Sequence, residues 1–333
     1  MVKWTIDQYE IPINEDAVNI EQVSVIEHPH GGLVVVYSYG DASKIDDPSH
    51  HAASSYFNEK SNSWNPQGTP LHFAPSSDDF NHTTFLNLMG NLQMMYLSDH
   101  QLLQNISNDY GKNWKKTEDI LEDSVMWKLN NHPIFMRMGR VVVPVYDEGS
   151  GRSFAYISDD TGRNWFPSVF IEPSDELIGI SAPEDIFSCK MRSPTLIQAG
   201  ERKLVCFIQP ENRDKLLHSI SDDFGETWSN AIETDIPSGI GGIESIRLRD
   251  SNGHYTPTVV LVYNQKKDDD KFSIMLAISS DIGESWEEIV EIEEIKAPFK
   301  DISLIQTDDN KLHIVYCSKQ EINHLVVNDF VIF

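Results

Sequence analysis

The sequence predicts an all-β protein folded as a six-bladed β-propeller, and two observations predict it. Short apolar runs separated by Gly, Asn and Asp turns follow one another along the chain, as in residues 32–38 and 140–146, and no long amphipathic helix interrupts them. Such runs are typical of β-strands. In addition, one turn pattern recurs at a spacing close to the roughly 50 residues that a blade of three or four strands needs.

The recurring turn pattern is S-x-D-x-G-x-[NTS]-W. Four copies occupy residues 107–114, 158–165, 221–228 and 279–286, at steps of 51, 63 and 58 residues. The Asp can accept backbone N–H groups of a tight turn, the Gly can take a positive φ, and the Trp can cover the turn. Each copy therefore predicts a hairpin tip, with a structural role for its Asp. A degraded copy without the Asp and Gly ends at Trp64.

This period divides the 333 residues into six blades of a single domain. The predicted blades cover residues 18–66, 67–118, 125–170, 186–232, 240–292 and 298–333. The last blade is short and lacks the recurring turn pattern, so its outer strand must come from elsewhere. Residues 2–12 are the predicted supplier, and this strand would close the ring between the two termini.

Composition and motif content argue against several classes of function. Acidic residues outnumber basic ones 52 to 26, and a net charge of −26 repels nucleic acid and anionic membranes. No apolar run approaches the roughly 18 residues of a membrane span, and the start lacks the apolar core of a signal peptide, so we expect a cytoplasmic protein. Scattered Cys189, Cys206 and Cys317 suggest no metal site, and no phosphate loop, nucleophile elbow or HExxH motif occurs. We therefore expect no cofactor and no metal, and a small-molecule or glycan ligand.

The repeats are Asp boxes, also called BNR repeats, and the chain resembles the sialidase-like superfamily of six-bladed propellers over essentially its whole length. Asn131-His132-Pro133-Ile134, followed by G-R-V-V-V-P-V-Y-D-E at 139–148, is similar to the third-blade segment of the predicted-neuraminidase branch. Tyr263 with the Asn after it, and residues 313–316 and 322–327, also resemble that branch. The resemblance implies the propeller fold and a carbohydrate-type substrate.

Sialidase chemistry itself is matched poorly. The resemblance implies three arginines for the substrate carboxylate, a Tyr nucleophile activated by a Glu, and an Asp as acid/base. Of the nine arginines, Arg192 is placed at the start of an innermost strand and Arg213 is a further candidate, but no triad is evident. Lys300-Asp301-Ile302 stands where the family tyrosine is expected. The sequence therefore predicts a protein that is not an ordinary sialidase.

The candidate site consists of residues where innermost strands begin, because these positions surround one mouth of a propeller channel. Carboxylates and imidazoles there can serve as general acids or bases. The predicted catalytic residues are Glu148, Glu244, Asp301 and His132. The predicted substrate-binding residues are Arg192, Glu21, His82, Asn131, Arg213 and Tyr263. The alternative is that these groups merely neutralise one another; for Arg192 the partner would be Glu148, Glu244 or Asp301.

Three functions stay open at this point. The first is a hydrolase or lyase acting on a glycoside or uronic-acid-like substrate at the channel mouth, which the resemblance favours. The second is an isomerase or cyclase that has the same propeller scaffold but does not act on sugars. The third is a non-catalytic glycan-binding or interaction propeller, because a fold does not fix a function.

Overall fold

Strands make up almost all the regular structure of the chain. The computed structural model describes residues 4–15, 17–28, 31–41, 50–58, 60–71, 80–88, 91–98, 101–107, 113–116, 126–129, 131–178, 189–268, 271–318 and 320–328. Within these ranges the helical segments are a 3₁₀ turn at Arg137–Gly139 and the short helix α1 at Asp175–Ile178. Neither is long and apolar enough to cross a membrane.

The described strands form six sheets, each of four or five strands, numbered here in chain order. The first strand, β1, spans Thr5–Ile11. Sheet 1 contains β2 (Ala17–Glu27), β3 (Leu33–Asp41), β4 (His50–Asn58), β5 (Ser63–Trp64) and β6 (Thr69–Pro70). Sheet 2 contains β7 (Phe80–Leu88), β8 (Asn91–Ser98), β9 (Gln101–Ser107) and β10 (Lys115–Lys116).

Three further sheets follow in the middle of the chain. Sheet 3 contains β11 (Trp127–Leu129), β12 (Ile134–Phe135), β13 (Val141–Asp147), β14 (Arg152–Ser158) and β15 (Phe166–Pro167). Sheet 4 contains β16 (Met191–Gln198), β17 (Leu204–Pro210), β18 (Lys215–Ser221) and β19 (Ile232–Pro237). Sheet 5 contains β20 (Glu244–Arg249), β21 (Tyr255–Asp268), β22 (Lys271–Ser279) and β23 (Glu288–Ile295).

The N-terminal strand completes the last sheet, as the sequence predicts. Sheet 6 contains β24 (Asp301–Gln306), β25 (Leu312–Cys317) and β26 (Ile322–Asn328), and its fourth strand is β1. The pairing of β1 with β26 is antiparallel and runs from Thr5 opposite Asn328 to Ile11 opposite Ile322. Ile11 is buried in the core that sheets 6 and 1 share, so one apolar side chain anchors the end of the strand.

The chain divides into two compact units with three sheets each. The first unit consists of Met1–Val125, Arg249–His254 and Phe299–Phe333, and it holds sheets 1, 2 and 6. The second unit consists of Met126–Leu248 and Tyr255–Pro298, and it holds sheets 3, 4 and 5 apart from the last residue of β20. The blade boundaries and the single-domain assignment stay predictions.

The Asp boxes form hairpin tips held by their own side chains. In the box at 158–165, the Gly162 N–H donates to Ser158 Oγ at 2.8 Å, and the Asn164 N–H donates to Asp160 Oδ1 at 2.8 Å. The Asn164 side chain also donates to Asp160 Oδ2, and the two bonds from Asn164 lower the pKa of Asp160 to about 2. The boxes at 221–228 and 279–286 repeat both backbone N–H bonds. Residues 108–112 of the first box lie outside the described residues.

The box glycines also let each tip pack against the preceding sheet. Gly283 has φ 83°, and a Cβ atom there would lie 2.7 Å from the ring of Phe207 in sheet 4. Gly225 has φ 93°, and a Cβ atom there would lie 3.2 Å from Val142 in sheet 3. Glycine therefore serves both the turn conformation and the close approach.

Asp160→Ala and Asp223→Ala are each expected to lower the free energy of unfolding by about 1 kcal/mol, because a turn acceptor is lost while the exposed N–H groups can turn to water. Burial alone would raise the pKa of Asp223, and hydrogen bonds from Thr227 and Ser221 outweigh it and lower the pKa. Denaturant melts check the loss, and any activity of the folded fraction should be unchanged. A loss of turnover at full stability would instead place these residues in an active site.

Candidate functional site

The first strands of sheets 3 and 4 are both irregular near their middle. Leu129 pairs with Val145 and Ile134 with Val142, so the strand leaves its partner between them. In β16 the register shifts between Arg192 and Thr195. Asn131 and Ser193 take positive φ angles of 66° and 47° within these breaks. Such conformations are uncommon for residues with a side chain and concentrate at functional sites.

The break in sheet 3 places His132 against the first residue of sheet 5. Its Nδ1 lies 2.6 Å from Oε1 of Glu244, and its backbone N–H donates to the same oxygen at 2.9 Å. The Glu244 side chain is 1% exposed, whereas the His132 side chain is 19% exposed. Glu244 therefore orients the ring and fixes its proton on Nδ1 in the neutral form, as the carboxylate does for a catalytic histidine. We call this pair the dyad.

Polar contacts join all three sheets of the second unit at the level of the dyad. Asn131 Nδ2 donates to the carbonyl oxygen of Pro194 at 2.8 Å. The Ser245 N–H donates to Thr195 Oγ1 at 2.9 Å, and the two hydroxyl oxygens lie 3.1 Å apart. The bulge in β16 is thus fixed from both sides, and Asn131 has a positioning contact in this structure.

Arg192 belongs to a second group of charges on the same strand. Its Nη2 lies 2.8 Å from Oε1 of Glu211, and Lys190 Nζ lies 3.4 Å from Oε2. Burial raises the pKa of Tyr146, and a hydrogen bond with Arg192 opposes this rise. We call Tyr146, Lys190, Arg192 and Glu211 the rim cluster. The partner of Arg192 is therefore Glu211, not any of the three carboxylates that the sequence suggested.

Glu148 lies in the turn after β13 and forms an exposed ion pair. Its Oε1 is 2.5 Å from Lys128 Nζ, and the two side chains are 42% and 36% exposed. Together with the rim cluster this gives three cations, Lys128, Lys190 and Arg192, beside the carboxylates of Glu148 and Glu211, and the Asp147 carboxylate lies in the same turn as Glu148. Three of the cations in a chain with a net charge of −26 are therefore grouped in this part of the second unit.

Two other predicted binding residues of the second unit have structural surroundings. Arg213 donates to the carbonyl oxygen of Leu177, and burial raises the pKa of Cys189 beside it. Tyr263 is fully buried in the core between sheets 4 and 5. Burial raises the pKa of Tyr263 to about 12, and its hydroxyl has no hydrogen-bond partner.

The remaining predicted residues lie in the first unit. Glu21 forms an ion pair with Lys300. Asp301 is 7% exposed and accepts a hydrogen bond from the Val23 N–H at 3.1 Å, which ties sheet 6 to sheet 1. The side chain of His82 lies outside the described residues. The structure thus brings together His132, Asn131 and Glu244 in one unit, and Glu21, Lys300 and Asp301 in the other.

Sequence reasoning missed Tyr146, Lys190 and Glu211 as neighbours of Arg192. Lys190 precedes Arg192 by two positions, so strand alternation puts both on one side and could have indicated the pair. The described residues contain no group of three or more His, Cys, Asp or Glu side chains placed to hold a metal ion.

Comparison with known proteins identifies relatives of the whole fold. The family profile described as "BNR repeat-like domain" matches residues 24–314. No curated protein matches the sequence significantly. A Dyadobacter fermentans protein of unknown function is 16% identical with a TM-score of 0.73, covering 97% of this chain and 98% of that one.

Two enzymes of known name are also similar in structure. A Hadza microbial sialidase is 15% identical with a TM-score of 0.73, and the match covers 94% of this chain and 66% of the sialidase. The Penicillium chrysogenum α-L-arabinanase, solved with arabinobiose, is 12% identical with a TM-score of 0.69, covering 99% of this chain and all of that one. At these identities the likeness establishes the fold, and the all-β propeller class predicted from the sequence is confirmed.

Proposed function

Because the chain belongs to the BNR repeat-like domain family, we propose that it is a carbohydrate-acting enzyme whose acid–base group is His132, oriented by Glu244. The dyad is the observation that carries the proposal. A partly exposed imidazole bonded to a buried carboxylate is the arrangement that general-base catalysis needs. The sialidase and the arabinanase of the same fold support the carbohydrate class.

The rim cluster favours a substrate that carries a carboxylate. Arg192 lies on β16, whose bulge contacts Asn131, the neighbour of His132 in the chain, and Lys190 directly precedes β16. A guanidinium can hold a carboxylate through two parallel hydrogen bonds. In a chain with a net charge of −26, a group of cations that includes a guanidinium is the place where an anionic sugar can bind. The proposed substrate class is therefore a uronic-acid-containing glycan.

Elimination fits the dyad better than hydrolysis. Most glycosidases use two carboxyl groups, one as acid and one as nucleophile or base. Here Glu148 is paired with Lys128, Glu211 with Arg192, and Glu244 with the dyad histidine. The side chain suited to act as a base is therefore an imidazole rather than a second carboxylate.

The proposed reaction is a β-elimination. His132 Nε2 accepts the C5 proton next to the sugar carboxylate, and Arg192 neutralises the charge that develops on that carboxylate. The C5 electron pair forms a C4–C5 double bond, and the C4–oxygen bond breaks. The imidazolium then returns its proton to the leaving oxygen, so the two products together contain all atoms of the substrate and no water is consumed.

A panel of glycans tests the reaction and the substrate class. The protein is expected to cleave a glucuronan oligosaccharide, in which C5–H and C4–O lie on one face and a single imidazole can serve both, and to produce the ultraviolet absorbance of an unsaturated uronate. It is expected to leave a neutral arabinan and a fluorogenic sialoside intact. New reducing ends without this absorbance would contradict elimination. Cleavage of the neutral or sialylated substrate would contradict the substrate class, and binding without turnover would contradict an enzymatic role.

A further inference from the structure

A pair of buried histidines lies in sheet 6, outside the proposed site. His313 on β25 and His324 on β26 are 5% and 0% exposed. Nδ1 of His313 lies 2.9 Å from Nε2 of His324, and the rings stack with centroids 5.1 Å apart. One nitrogen must donate and the other accept, so the two rings cannot both be protonated while this bond is made.

The neighbouring turn sets the direction of that bond. Lys311 Nζ lies 2.5 Å from Oδ2 of Asp309, and Thr307 Oγ1 donates to Oδ1 of the same carboxylate at 2.5 Å. Because its proton points to Asp309, the threonine hydroxyl accepts from His313 Nε2 at 3.2 Å. Nδ1 of His313 is then the acceptor, and Nε2 of His324 is the donor. The nitrogen of the histidine pair that carries no proton and accepts no hydrogen bond is therefore Nδ1 of His324.

Aromatic side chains form a cage around His324, and none of them makes a hydrogen bond to that nitrogen. Nδ1 of His324 is buried without a hydrogen-bond partner. Tyr9 stacks on the ring at 5.4 Å, and Phe57 and Trp64 meet it edge to face at 5.5 and 5.4 Å. The indole N–H of Trp64 is also unpartnered, and a donor cannot stabilise a protonated imidazole. Desolvation therefore disfavours the charged form of His324.

The N-terminal strand β1 covers one side of this pair, and few of its side chains are buried. Tyr9 is the residue of β1 directly opposite His324, and in the described part of the chain β1 pairs as a strand with β26 alone. One side-chain contact adds to this pairing: the Tyr9 hydroxyl lies 2.9 Å from Nδ2 of Asn62, which donates to it. Along β1, five side chains are exposed, Tyr9 is half-buried and Ile11 is buried. Lifting this edge strand exposes His324 to water at the loss of few apolar contacts, so it is the least costly route to hydration.

A small cavity beside His313 gives protons access to the histidine pair. Its volume is about 110 Å³, enough for a few water molecules, and its lining includes Asp7, Tyr9, Asp309, Lys311 and His313. We propose that the histidine pair is an acid-operated latch, which holds the N-terminal strand closed at neutral pH and releases it when the imidazoles are protonated.

The expected pH dependence follows from proton linkage. Burial lowers the pKa of His313 to about 4 and that of His324 further below its ordinary value of 6.5. The opened state therefore binds more protons than the closed state between about pH 6.5 and 4, so closure weakens as the pH falls through this window. The charged groups around the pair are Asp7 from β1 and Asp309 and Lys311 from the turn, and sheet 1 contributes the uncharged Phe57 and Trp64.

One neighbouring carboxyl acts in the opposite direction. Burial raises the pKa of Glu27 to about 7, and its two carboxylate oxygens accept the N–H of Asp308 in the same turn. A raised acid pKa means that the folded state binds the extra proton, so Glu27 makes the fold more stable as the pH falls from 7 to 4.5. Glu27→Gln removes this contribution to the stability of the fold and serves as a control variant in the test.

Amide hydrogen exchange of the full-length protein tests the latch. Between pH 7 and pH 5, protection factors of the Thr5–Ile11 amides are expected to fall about 10-fold or more for each histidine that titrates. Those of the outer strand Glu288–Ile295, whose partner strand contains no histidine, should stay within about 2-fold. Equal losses in the two strands, or no loss in Thr5–Ile11, would overturn the latch. This comparison requires only the unmodified protein. Because Glu27 lies on β2 and stays folded when β1 opens, the same measurement on Glu27→Gln should show the same fall.

A variant confirms which group is titrated. His324→Phe keeps a ring inside the aromatic cage and removes the proton-accepting nitrogen, so the fall between pH 7 and pH 5 should be at least 10-fold smaller. His254→Gln, at a histidine 81% exposed beside Asp250, is the matched control and should behave as the unmodified protein. An unchanged pH dependence in His324→Phe would assign the effect to other groups and reject the proposal.

Discussion

The His132→Gln variant is expected to lose about 10²- to 10⁴-fold in kcat on a uronate substrate, because it removes the general base. Glu244→Gln should reduce kcat less, because it keeps a side-chain oxygen for the His132 N–H and Nδ1 contacts but removes the charge that stabilises the imidazolium. A missing carboxylate lowers the pKa of its histidine partner. The acidic limb of the pH–rate profile should therefore move to lower pH in Glu244→Gln.

The pH profile separates this positioning role from a structural one. Loss of packing lowers the melting temperature and the amount of folded enzyme, but it leaves the shape of the profile unchanged. His254→Gln is the matched control for a histidine substitution, since His254 lies in the first unit and is exposed. Full turnover in His132→Gln would remove the dyad from the mechanism.

The Arg192→Lys variant is expected to raise KM for a uronate substrate nearly as much as Arg192→Ala, by about 10- to 100-fold. The reason is geometric: Arg192 already contacts Glu211 and Tyr146, and its planar guanidinium can bind a carboxylate with the donors that remain, whereas an ammonium cannot reproduce two parallel bonds. Arg163→Ala, an exposed change within an Asp box, is the matched control and should leave KM unchanged.

Ligand titration and thermal melts distinguish binding from charge neutralisation. If Arg192 only balances Glu211, both substitutions lower the melting temperature, and the affinity for uronate stays as in the unmodified protein. That outcome would reject the ligand-holding role and, with it, the assignment of a carboxylate-bearing substrate.

The fold was predictable because its signals are local and repeated. Each box carries its own turn chemistry within eight residues, as in 158–165. The missing strand of sheet 6 could also be assigned to the N-terminus, because a short last blade must be completed and β1 was the segment left over. These inferences need only turn geometry and strand counting.

The site was predictable only in part. His132 and Glu244 could both be named as candidates, but their contact joins residues 112 positions apart. It also depends on a break in the first strand of sheet 3, which the sequence analysis did not predict. Tyr263 shows the opposite case. Strand alternation decides which face a side chain takes, and the register of β21 turns this tyrosine into the core.

Proton exchange at C5 of a uronate tests the central claim most directly, because it reports the base without requiring a leaving group to depart. A uronate oligosaccharide incubated with the enzyme in D₂O is followed by NMR, with the His132→Gln variant in parallel. The account predicts that deuterium appears at C5, or that the double bond forms, with the unmodified protein and at least 100-fold more slowly with the variant. Equal rates for the two proteins, or cleavage by the unmodified protein with C5 still protonated and no double bond, would contradict it.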